Sequence, residues 1–174
     1  MSTAVRTVLL IGTNDHEYQR PPTGSCGHGA AQFRALVVAT CQQEGVQAIA
    51  EEMSVEALEQ HGVHQSICQQ VADTLHLAHQ YCDPSSQERE ALGVVGDGDI
   101  KMKGFFANWD PQQVEAAIRK SYAIRERYWL EHLLQLDTWP VLFICGANHT
   151  AAFRALLQAN GIVVHVLFTR WVSQ

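Results

Sequence analysis

Short, almost wholly apolar runs recur along this chain, and between them lie stretches whose apolar residues fall at helical spacing. RTVLLIG (6–12) reads as a first strand. A polar, proline-containing loop follows, and then GAAQFRALVVATCQQE (29–44) repeats its apolar positions with the period of a helix that Gly45 ends. VQAIAEE (46–52) predicts a second strand that closes on two carboxylates. Ser54 suits the N-cap of a short helix with Ala57 and Leu58 on its inner face, and 65–77 forms an amphipathic helix. AHQYC (78–82) reads as a third strand ended by Asp83-Pro84, with a short helix in SSQEREAL.

Residues 93–109 (GVVGDGDIKMKGFFANW) hold four glycines and no steady period, which predicts a long loop, a candidate lid over a site. Asp110-Pro111 then supplies an N-cap with proline at the first helical position. The helix it opens runs to about Leu136, with Ile118, Tyr122, Trp129 and Leu133 along one side. PVLFICG, a helix over 150–159 and IVVHVLF complete the series. Strands this apolar, alternating with helices, belong to a parallel sheet covered on both faces. The expectation is a three-layer, Rossmann-like α/β domain with a mostly parallel sheet of about five strands, taking up residues 1–174 as one domain.

Composition narrows the partners more than the fold. Of 174 residues 47% are hydrophobic and 17% charged, a globular balance. The net charge of −6 and twelve scattered Lys and Arg disfavour a nucleic-acid backbone as partner. The early apolar run from Val8 to Ile11 is too short for a signal segment or a membrane span, so a cytoplasmic protein with no membrane partner is expected. Cys26, Cys41, Cys68, Cys82 and Cys145 include no CxxC pair and read as reduced thiols. Apolar residues on the long helix could support a homodimer.

The candidate chemistry lies where strands end. Twice an apolar strand runs into a glycine with a histidine just beyond: Gly12 then His16, and Gly146 then His149. Parallel sheets build sites at the carboxyl ends of their strands. Glu51 and Glu52 close the second strand and Asp83 the third. Two imidazoles and one or two carboxylates in one crevice make either a divalent-metal site with an activated water or an acid–base pair. Strand alternation lets only one of Glu51 and Glu52 face that crevice, and the sequence leaves open which. GSCGHG (24–29) reads as a flexible loop whose His28 could supply a third imidazole, and Asp97 and Asp99 of GDGD read as turn residues before a cation site. Cys145 lacks a nucleophile-elbow pattern and reads as a buried thiol.

Taken in order, IGTNDH, AIAEE, IRERYW and VLFICGANHTAAFRALLQANGIVVHVLF resemble the TraB/Tiki superfamily, relatives of the erythromycin esterase-like and ChaN-like proteins. The Gly12–His16 motif is one residue longer than that group's usual spacing. The resemblance implies a hydrolase of a small molecule or peptide bond, with divalent-metal dependence (Mn, Zn or Fe) in one branch and haem binding in another. It assigns His16 and His149 as metal ligands or base and acid, Glu51 or Glu52 as ligand or general base, and Arg127, with Arg125 as alternative, as the helix arginine that would hold developing charge. A non-catalytic pocket for a nucleotide or haem is the competing expectation.

Overall fold

The computed structural model describes residues 5–14 and 27–174. Within them the chain runs β1 (Thr7–Thr13), α1 (Gly27–Gln43), β2 (Ala48–Glu51), α2 (Val55–Glu59), α3 (Ile67–Leu75), β3 (Ala78–Tyr81), α4 (Ser86–Leu92), α5 (Asp97–Phe106), α6 (Pro111–Gln135), β4 (Val141–Gly146), α7 (Thr150–Ala159) and β5 (Val163–Trp171). The five strands form one all-parallel sheet in the order β3-β2-β4-β1-β5.

Alternation along the strands sorts the core into two layers. Leu9, Ile11, Ile49, Leu142 and Ile144 face α1 and α3, packing with Phe33, Val37 and Val71. Val8, Leu10, Ala50 and Phe143 face the other way, onto Trp129 and Leu133 of α6 and Phe153 and Leu157 of α7. Burying each of these large side chains contributes roughly 1.5–3 kcal/mol. The result is the three-layer, Rossmann-like arrangement expected.

The order of strands also explains where a crevice opens. The connection leaving β1 crosses to β2 on one side, while that leaving β4 crosses to β5 on the other. Since β1 and β4 are neighbours, in register from Val8↔Val141 to Thr13↔Gly146, their onward chains diverge and leave a gap at their carboxyl ends. The two glycine-terminated strands therefore end side by side.

One expectation fails here. Residues 97–106, read as loop, form helix α5. Gly96 is its N-cap, and Asp97 and Asp99 sit in the first turn, where carboxylates complement the positive end of the helix. Gly104 conceals the pattern because its role is close packing: a Cβ there would meet Val114 Cγ2 at 2.8 Å. Ile100 and Gly104 are the residues of α5 buried against its surroundings, too few to reveal a period. The lid that the loop was to form is thus a helix seated on α6.

Candidate functional site

A cavity of about 480 Å³ opens at the carboxyl ends of β1 and β4. Its walls include Thr13 at the end of β1 and Asn14 after it, Glu52 after β2, Tyr122 and Arg125 of α6, His149 after β4, and Asp97 of α5.

His149 forms its centre. The imidazole is almost wholly buried, at the position just before α7. Its Nδ1 lies 2.8 Å from Glu126 Oε1, and its Nε2 lies 3.8 Å from Glu52 Oε1. The ring packs against Tyr122 (centroids 4.1 Å apart, tilted) and against Trp129 (4.7 Å, edge-on). A carboxylate on one nitrogen and two aromatic neighbours set the ring's orientation and leave Nε2 toward Glu52.

Glu52 and Arg125 build the floor. Glu52 continues the alternation of Ala48 and Ala50 and so turns to the α6 side. Its Oε2 accepts the Gly146 N–H at 2.7 Å, and its own N–H donates to the Ile144 carbonyl at 2.8 Å. Arg125 donates to Glu52 Oε1 at 2.5 Å and, through Nε and a terminal nitrogen, to Asp83 Oδ1 at 3.0 and 2.8 Å. Asp83 also accepts from the Trp129 indole at 2.9 Å and from Arg89. Burial works against the Arg125 charge, yet Glu52 and Asp83 outweigh it and hold the guanidinium protonated beyond its ordinary range. Buried charges persist when paired and hydrogen-bonded in this way.

Tyr122 and Ser121 tie the α5 region to this floor. The Tyr122 hydroxyl donates to Asp97 Oδ2 at 2.5 Å, while Ser121 Oγ accepts from the Val95 N–H and donates to the Val95 carbonyl. Burial, followed by the bond to Asp97, pushes the Tyr122 hydroxyl up to about 12.

The expected site residues divide sharply. His149 and Glu52 meet, as does Asp83 through Arg125. Glu51 does not join them: its carboxylate points to the α3 side, where it pairs with Ser66 and with His79 Nε2 at 2.8 Å. That placement removes it as a shared ligand with His149, for the reason of strand alternation. Arg127, preferred from the motif, is exposed, and Arg125 is the arginine that faces the crevice. His16 lies outside the described residues. Cys145 is a buried thiol whose acidity burial suppresses well below the ordinary. Asp97, read as a turn residue, is the partner of Tyr122.

Sequence reasoning missed Glu126. Its signal was available: the apolar stripe on α6 steps from Tyr122 to Trp129, and the turn it skips holds Arg125 and Glu126. A gap filled by charge in a buried stripe marks side chains that need partners inside. Arg89, the second cation on Asp83, had no comparable signal.

Among the described residues no group of three or more His, Cys, Asp and Glu is arranged to hold a metal ion. No helix among them is long and apolar enough to cross a membrane. No protein-family model, no curated protein and no solved structure matches the chain.

Proposed function

We propose that the crevice is the catalytic site of a hydrolase acting on a small molecule or a peptide bond, with His149 as general base. The carrying observation is the buried Glu126–His149 pair, which holds one ring nitrogen and leaves the other toward Glu52 in a cavity that His149, Glu52 and Arg125 line. In this scheme His149 Nε2 takes a proton from water as the water oxygen bonds the acyl carbon. Glu126 stabilises the resulting imidazolium, Arg125 faces the negative oxygen that develops, and the imidazolium returns its proton to the leaving group. Glu52 keeps Arg125 in place and anchors the Gly146 amide. The likeness to the TraB/Tiki group belongs to the same proposal and is supported here by the glutamate, arginine and histidine that converge.

A second reading adds a divalent ion, Mn, Zn or Fe. It is favoured by the carboxylate on His149 Nδ1, the partner that commonly orients a metal-bound imidazole. Nε2 of His149 and Oε1 of Glu52 would hold such an ion, which would supply an acidified water. Two donors fall short of the three protein ligands usual for a catalytic zinc, and His16 would have to be the third.

The test is turnover of chromogenic esters and peptide substrates by the wild type and by His149→Ala and Arg127→Ala. Loss in the first of roughly 10²–10⁴-fold, with activity kept in the second, is expected. Full activity in His149→Ala would end the proposal. Elemental analysis of the wild type and His16→Ala decides the metal, and a Soret band in place of either would favour a haem-binding pocket.

A further inference from the structure

Three of the four most exposed large apolar residues among those described gather on α5: Phe105 (79%), Phe106 (77%) and Met102 (59%). Beside them, between α5 and α6, lies a shallow groove of about 410 Å³ walled by Gly104, Trp109, Val114 and Ile118. Knob and socket thus lie on one hairpin. The groove has the apolar lining that an aromatic ring would fill.

Charge selects the occupant. All three lysines of the chain, Lys101, Lys103 and Lys120, fall on this hairpin, joined by Arg119. With Asp97 turned to Tyr122 in the crevice, the exposed acids that match them between residues 97 and 120 are Asp99, Asp110 and Glu115. The exposed hairpin is therefore close to neutral while the whole chain carries −6, and the remaining surface repels a second copy. A face bearing both signs in nearly equal number can meet itself, as a two-fold interface requires. A nearly neutral face gives an anionic bilayer or an acidic partner little attraction.

The area is of the right order. Aromatic side chains bury about 150–250 Å² each, so the three exposed residues offer about 400 Å² per copy, half of the roughly 800 Å² per partner in a stable interface. The surrounding polar hairpin supplies the remainder.

We infer that the chain forms a two-fold homodimer through the α5–α6 hairpin, with Phe106 of each copy entering the groove beside Trp109 of the other. Lys101 and Lys103 then face the acidic residues of the second hairpin. Since Asp97 opens α5 and also walls the 480 Å³ crevice, dimerisation holds that wall in place. The interface stands whether or not the crevice is hydrolytic.

Sedimentation velocity of the wild type and of the double variant Phe105→Glu/Phe106→Glu tests this at about 100 µM, above the micromolar weak end of the Kd range of interfaces of this size. The wild type should sediment at twice the 19.4 kDa chain mass. The variant, with unchanged circular dichroism because both rings are exposed, should sediment as a monomer. A monomeric wild type overturns the inference, and so does a variant that stays dimeric. Flotation of monomeric wild type with phosphatidylglycerol vesicles would also overturn it and assign the face to lipid.

Discussion

His149 Nδ1 lies 2.8 Å from Glu126 Oε1, although 23 positions separate the two residues. One comes from the turn after β4 and the other from the middle of α6, so the pair exists only once the helix layer closes on the sheet. Its two functions separate by substitution. Glu126→Gln keeps the shape and removes the charge that an imidazolium needs. Its kcat should fall by roughly tenfold or more, with little change in KM. Glu126→Ala also leaves a buried imidazole nitrogen unpaired, which should cost about 1–3 kcal/mol in urea denaturation. Equal kcat in wild type and Glu126→Gln would detach this pair from catalysis.

Arg125 and Arg127 are two residues apart and should differ widely in effect. Arg125→Met removes the cation that buried Glu52 and Asp83 share, leaving Asp83 with Arg89 and the Trp129 indole and Glu52 with the Gly146 amide, and is expected to destabilise by about 3–5 kcal/mol. Arg125→Lys should recover only part of this, because a single ammonium cannot reproduce the fork that spans both carboxylates. Arg127→Ala should stay within about 0.5 kcal/mol of wild type. Urea midpoints for the three variants check the order.

The strands and most helices were legible because burial on two faces writes itself directly as apolar runs and helical spacing. Ser54, Asp110 and Thr150 mark boundaries that the structure repeats. Helix α5 was hidden because its contact with α6 depends on the missing side chain of Gly104, and an absence has no period. At the site, alternation stated that one of Glu51 and Glu52 must turn away, but the choice depends on which layer each face receives. Arg125 over Arg127 was likewise a question of helix phase. Counting from Trp129 and Leu133 in the buried stripe would have favoured Arg125, since it lies one turn before Trp129.

Gly12 owes its identity to neighbours that the sequence does not place beside it. β5 slips register against β1 between Ile11 and Thr13, and this irregularity brings the Thr169 carbonyl over the glycine. A Cβ at residue 12 would lie 2.3 Å from that backbone oxygen and 2.3 Å from Thr150 Oγ1. The hydroxyl can turn away, but the strand backbone cannot do so without losing ladder bonds. Gly12→Ala should therefore destabilise by at least the 1–3 kcal/mol typical of overpacking. Because Thr150 follows His149, it should also lower kcat. An unchanged urea midpoint would show that β5 yields easily at its bulge.

Alkaline pH offers a separate reading of the Tyr122–Asp97 link. The hydroxyl has an ordinary value of 10.0 and is pushed up to about 12 by burial and by Asp97. The folded state therefore holds this proton more tightly than the unfolded chain. The stability that it contributes is complete below pH 10 and is lost as pH rises through 10 toward 12. Tyr122→Phe keeps the ring against His149 and removes the titrating group. Its urea midpoint should be lower than that of wild type near neutrality, where the bond to Asp97 is lost, and the gap should narrow between about pH 10 and about pH 12. Tyr128, whose hydroxyl burial and Glu88 also raise, gives both proteins a shared alkaline decline, so the difference between them is the quantity to follow. A gap that stays constant across this range would mean that the Tyr122 hydroxyl does not hold α5 to the crevice.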